Sequence, residues 1–202
     1  MTDIETADRD GIRDNIENWV VFRDAGLWDQ FRTLWSPNAR INATWFQGTA
    51  EDFIRVSQEG WDRGVSILHF LGGTSVSVAG DRATAQTKMT ISQRDTVEGV
   101  LCDVVCTGRF YDFFERRDGQ WLMVLRQPLY ERDRIDPVRS GEVVTLDPGL
   151  LARFPVGYQH LAYLQTRIGY EVKKDMPGIA GPGADALYAR GEKWLAGGES
   201  TP

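Results

Sequence analysis

Histidine, cysteine and lysine are scarce in this 202-residue chain, and each scarcity closes off a class of chemistry. The two histidines, His69 and His160, lie far apart, and the two cysteines are Cys102 and Cys106. Neither pair has the spacing of a metal site, and no H-E-x-x-H run is present. Cys102 and Cys106 lie four apart in an extended stretch, which puts them on one face but ~13 Å apart, too far for a disulfide. Small apolar filling is their expected role. Only four lysines occur, against a net charge of −6, so no basic stripe suits a nucleic acid. No apolar run approaches the ~20 residues of a membrane span. The acidic start MTDIETADRD lacks the basic and apolar regions of a secretory signal. A cytoplasmic chain without a membrane partner is therefore expected. A glycine-rich phosphate loop and a G-x-S-x-G elbow are missing too. With those chemistries set aside, neither cofactor nor metal is expected. Proton transfer by His69, the one histidine in the first 159 residues, remains.

What the chain has in quantity is aromatic surface. Five of its seven tryptophans (Trp19, Trp28, Trp35, Trp45 and Trp61) precede His69. Hydrophobic residues make up 42%, enough at this length for a packed core. Ile12, Ile16, Trp19 and Val20 recur at helical spacing within 8–22. Asp24-Ala25-Gly26 ends that helix in a turn, and 27–35 opens a second, short one. A strand is expected over 38–46. Thr49-Ala50-Glu51-Asp52 reads as a capping box that starts a third helix, ending near Trp61. Beyond it the period changes to two. Strands are predicted over 66–79, 82–94, 100–115 and 120–131, and the last break carries Asp118-Gly119, a strong hairpin signal. Helices first and a meander second give an α+β fold, a cone-shaped α+β barrel with three N-terminal helices packed on a curved antiparallel sheet. The pattern breaks near Asp136-Pro137. This divides the chain into a cone domain, 1–136, and a helical C-terminal extension, 137–202. In the extension Asp147-Pro148 is an N-cap followed by an N1 proline, with helices predicted over 150–168 and 183–196. The extension is expected to cover the sheet, lid the pocket or reach a neighbouring subunit.

Three helices, Asp24 at the end of the first, His69 at the junction with the strands, and the strand run GRFYDFFERRDGQW (108–121) carry a resemblance. Over roughly 8–135 the chain resembles the SnoaL-like branch of the nuclear transport factor 2-like superfamily, of the scytalone dehydratase and hexachlorocyclohexane dehydrochlorinase type. The resemblance implies a cofactor-independent lyase with a cone-shaped pocket, forming a homotrimer or a dimer. Asp24 and His69 correspond to the catalytic dyad, His69 as general base and Asp24 holding the other ring nitrogen. Arg126, and next to it Arg109, would stabilise an enolate or phenolate oxygen or clamp a carboxylate. The plainer reading for these arginines is a sheet-face ion pair with Asp112 or Asp103. Asp103 would be a second acid/base group or an arginine partner. Trp19, Trp45, Phe70 and Tyr111 would line an aromatic substrate site, or are plain core. His160, on a tail helix, reads as a packing or surface residue.

The implied reaction removes water or another small group from a hydrophobic, aromatic small molecule, as in aromatic-compound catabolism. Three other activities fit the same resemblance: a carbon–carbon lyase releasing a small aldehyde, a polyketide cyclase or isomerase, and a non-catalytic dioxygenase β-subunit-like module. The chain departs from the dehydrochlorinase pattern at Trp19, where that enzyme has a lysine. It has an evident counterpart to only one of the two pocket histidines of scytalone dehydratase.

Overall fold

The computed structural model describes residues 3–199; residues 1–2 of the expected cone domain and 200–202 of the expected extension lie outside them. Helix α1 spans Asp3–Asp24, longer than the periodicity predicts, so Asp24 is its last residue and not part of the turn. Its apolar stripe faces inward: Ile12, Ile16 and Trp19 are buried, as the spacing of three and four requires. Arg9 ties the helix to the sheet by donating to the Val76 carbonyl at 2.5 Å. Near the helix middle the Asn15 amide bridges the Leu34 and Trp121 carbonyls at 2.9 and 3.1 Å.

Helix α2 (Trp28–Arg32) and two short strands follow, β1 (Trp35–Asn42) and β2 (Gln47–Thr49), where one strand was predicted. Helix α3 (Ala50–Asp62) begins as its capping box demands: Thr49 accepts the Asp52 amide at 3.1 Å. Four long strands complete the sheet, β3 (Ser66–Ala79), β4 (Arg82–Val97), β5 (Val100–Arg117) and β6 (Gln120–Pro137). Asp118 and Gly119 both take positive φ (48° and 78°), the conformation a two-residue hairpin turn needs.

The six strands form one curved, unclosed sheet in the order β2-β1-β6-β5-β4-β3. Every pairing is antiparallel except β1 with β6, which is parallel and corrects the expectation of a wholly antiparallel sheet. Helices α1–α3 pack on the inner face in a continuous apolar core.

The predicted helix over 150–168 is two helices, α4 (Pro148–Leu151) and α5 (Gln159–Arg167). Pro155 lies between them; inside a helix it would remove a backbone donor and clash with the preceding turn. Asp147 caps α4, accepting from the Gly149 and Leu150 amides. Leu161, Ala162, Tyr163 and Leu164 of α5 join the same core as α1. The last helix, α6 (Pro182–Leu195), crosses to the outer face, where Leu187 and Trp194 pack on Tyr111, Phe113, Leu125 and Leu129. Cys102 and Cys106 are buried free thiols filling space on the inner face. No helix among the described residues is long and apolar enough to cross a membrane.

Candidate active site

Asp24 sits at the C-terminal end of α1, where the helix dipole disfavours a carboxylate. Three donors offset that cost. The His69 backbone amide donates to Oδ2 at 2.5 Å, the His69 ring meets Oδ1 through Nδ1 at 2.8 Å, and Arg23 Nη1 approaches Oδ1 at 3.3 Å. His69 reaches this point because alternation along β3 turns it inward with Ile67, opposite Ile91 of β4. Its side chain is 7% exposed. Burial lowers the imidazole from its ordinary pKa; the hydrogen bond and charge of Asp24 oppose this, and the charges of Arg23 and Arg126 add to it.

Arg23 was not anticipated, although one signal pointed to it. The buried positions 12, 16, 19 and 20 of α1 continue at helical spacing to 23, so the guanidinium lies on the core stripe. It is buried, and donates also to the Ile67 carbonyl at 3.5 Å. Burial lowers its pKa against the pull of Asp24.

Arg126 and Asp112 are cross-strand partners on β6 and β5, both side chains 0% exposed. They form a bidentate pair at 2.8 and 2.7 Å, so the ion-pair reading of Arg126 holds. Burial raises the Asp112 carboxyl, and Arg126 is the group that opposes it. The guanidinium also stacks on the inner aromatics, with Cζ 4.3 Å from the Trp19 ring centroid and 4.0 Å from that of Phe110. Its Nη1, like the Trp19 indole Nε1, is buried without a hydrogen-bond partner. Trp19 stands edge-on to His69 with centroids 5.3 Å apart, and Phe110 lies at 6.2 Å. Phe53 stacks on Trp19 at 6.2 Å, and Trp45 continues the wall against Phe53 and Tyr170 at 5.5 and 5.0 Å. His69, Asp24, Arg126, Trp19 and Trp45 are thus brought to one interior.

The other four expected residues are not. Side chains alternate across a strand, so Phe70, next to His69, points outward and is 60% exposed. Asp103 pairs with Arg94 at 2.7 Å near the β4–β5 turn. Arg109 points outward to Gln86 and Glu131 at 2.8 and 3.2 Å, neither of the carboxylates anticipated for it. Tyr111 packs under α6 against Tyr188. Arg109 and Tyr111 border an open groove of about 940 Å³ on that outer face, away from His69.

A second His–Asp pair was also missed. Asp133 accepts from the His160 and Leu161 backbone amides at 2.6 and 2.8 Å and meets His160 Nδ1 at 2.8 Å, capping α5 from a neighbouring strand. Among the described residues no cluster of three or more His, Cys, Asp or Glu side chains is placed to hold a metal ion.

Comparison with known proteins places the chain in a family. Residues 5–127 match the SnoaL-like domain. The chain is 36% identical over 197 residues to pea pathogenicity protein 2 of Fusarium vanettenii, covering 92% of this chain and 84% of that protein. An uncharacterized protein of Emericella nidulans is 33% identical over 208 residues, with 95% and 87% covered. A putative scytalone dehydratase from Novosphingobium aromaticivorans superposes with a TM-score of 0.58 at 19% identity, over 71% of this chain and 100% of that one. A hexachlorocyclohexane dehydrochlorinase of type 2 gives 0.57 at 14% identity, over 73% and 99%. These two are likenesses of fold.

Proposed function

This chain belongs to the SnoaL-like family of the nuclear transport factor 2-like superfamily, and from that premise we propose that it is a cofactor-independent lyase acting on a hydrophobic aromatic small molecule. The observation that carries the reading is the 2.8 Å contact between Asp24 Oδ1 and His69 Nδ1. A carboxylate only accepts, so Nδ1 donates, the tautomer is set, and Nε2 keeps its lone pair for the substrate. With its pKa lowered by burial, the ring is neutral at pH 7 and competent to take a proton.

His69 Nε2 removes a proton from a carbon beside a carbonyl or aryl group. The C–H electron pair forms the new double bond, and water or another small group departs from the neighbouring carbon with its bonding pair. Where the leaving group is hydroxide, the imidazolium returns the proton to it. The unpaired Arg126 Nη1 and Trp19 Nε1 are donors for the oxygen on which charge accumulates. The wall from Trp19 to Trp45 supplies flat apolar contact. The same reading carries a homo-oligomer of two or three copies, checked by sedimentation.

The test is turnover of a panel of aromatic β-hydroxy ketones by the wild-type chain and by His69→Ala. Product mass separates elimination from isomerisation and from carbon–carbon cleavage. Wild type is expected to dehydrate at least one member, and His69→Ala to be slower by roughly 10³-fold or more. Undiminished turnover in the variant would remove His69 as the base.

A further inference from the structure

Gln93 of β4 is completely buried, and neither its Oε1 nor its Nε2 has a hydrogen-bond partner. It lies on the inner face: Ile91 is opposite His69 and Gln93 opposite Ile67, while Val104 flanks Gln93 on β5. Gln93 is therefore the diagonal neighbour of His69 across the strand pair, at about 7–8 Å between backbones and within reach of a long side chain. Its cross-strand neighbours are hydrocarbon. A carboxamide buried among them with no hydrogen bond made is costly, and leucine or methionine would fill the space without that cost.

The other unpaired groups beside His69, Arg23 Nε, Arg126 Nη1 and Trp19 Nε1, are donors only. Gln93 differs in offering a donor and an acceptor together. A neutral hydroxyl satisfies both at once, its oxygen accepting from Nε2 and its proton going to Oε1. A carboxylate would meet Oε1 with like polarity, an ether would leave Oε1 unpaired, and a halogen or ring hydrogen would leave both unpaired. We propose that Gln93 is a specificity-determining residue that reads a hydroxyl on the aromatic substrate, which narrows the substrate class to hydroxylated aromatics. The inference rests on the reading of the His69 interior as the site.

The experiment is calorimetric titration of the full chain with 2-naphthol, 2-methoxynaphthalene and 2-methylnaphthalene, in wild type, Gln93→Leu and Gln93→Met, together with each variant's Tm. Wild type should prefer the naphthol over the methyl compound by tenfold or more. Both variants should bring that ratio to about one, bind the methyl compound as wild type does, and melt at or above wild type because an unpaired amide has gone. Three results overturn the inference: an unchanged ratio, no binding of any of the three by wild type, or a Tm lowered by several degrees in both variants, which would mean the amide is paired within the protein. Binding is read without turnover. Loss of this inference therefore leaves His69 standing as the base, and an inactive chain that keeps the hydroxyl preference does the reverse.

Discussion

At His69 two forces oppose each other, and burial is the larger. The folded chain therefore binds the imidazole proton less readily than the unfolded chain. Below pH about 6.5, the ordinary histidine value, the unfolded state holds a proton that the folded state lacks, so stability falls as pH drops through that value. Denaturation midpoints at pH 7.5 and 5.5 should show this loss, and part of it should vanish in His69→Asn. The acid limb of kcat/KM belongs to the same group and is expected below pH 6.5. At this scale the sequence was informative where chemistry is rare: one histidine and one helix-end aspartate define the pair. It was less so for Arg23 and Gln93, because residue type alone does not turn a long polar side chain inward and the faces of α1 and β4 decide it. Phe70 was misplaced for the opposite reason, because adjacency to His69 in the chain means opposition across the sheet.

At the scale of elements, the buried Arg126–Asp112 pair joins β5 to β6 across the sheet. Asp112→Ala leaves the guanidinium buried without its partner and is expected to cost about 3–5 kcal/mol in denaturant unfolding. The double replacement Asp112→Leu with Arg126→Met should recover most of that stability without recovering turnover. Such an outcome assigns the pair to chemistry and not to folding. Helix α6 offers a test of sign. An alanine in place of glycine inside a helix ordinarily gains up to about 1 kcal/mol. At Gly191, however, a Cβ would lie 2.0 Å from the Tyr111 hydroxyl oxygen and within 3.0 Å of its ring. Gly191→Ala is therefore expected to destabilise by about 1–3 kcal/mol.

Hairpins and caps were legible because each depends on neighbouring residues, as at Asp118-Gly119, Thr49 and Asp147. Bulges were not. One between Phe113 and Phe114 of β5 shifts the β6 register and puts Met123 on the face of Arg126. A second, at Glu131, carries β6 past its predicted end at 131 and turns Asp133 inward to His160.

At the scale of the whole molecule, residues after 137 supply part of the core. Phe154, Tyr158, Leu161, Tyr163 and Leu164 are buried in the same cluster as Ile12 and Ile16. Asp133 caps α5, and the Lys173 amide donates to the Thr44 carbonyl at 2.7 Å. We propose that the extension is an integral lid over the inner face. A chain ending at residue 137 should then expose that face, bind a hydrophobic dye and aggregate; a soluble, cooperatively melting product would count against the proposal. The α+β class was readable from the order of periods, helical then alternating. The parallel β1–β6 contact was not, since nothing local marks which long strand a short one will join.

The central claim is that Asp24 holds His69 as a neutral base with Nε2 free to act. Histidine-selective ¹⁵N NMR across pH tests it most directly. The chain has only two imidazoles, and His160→Ala leaves one. The account predicts a ring protonated on Nδ1 alone at pH 7.5, titrating below about 6.5, with that tautomer preference lost in Asp24→Asn. A ring protonated on Nε2 at neutral pH, or one that titrates above 6.5, would contradict it.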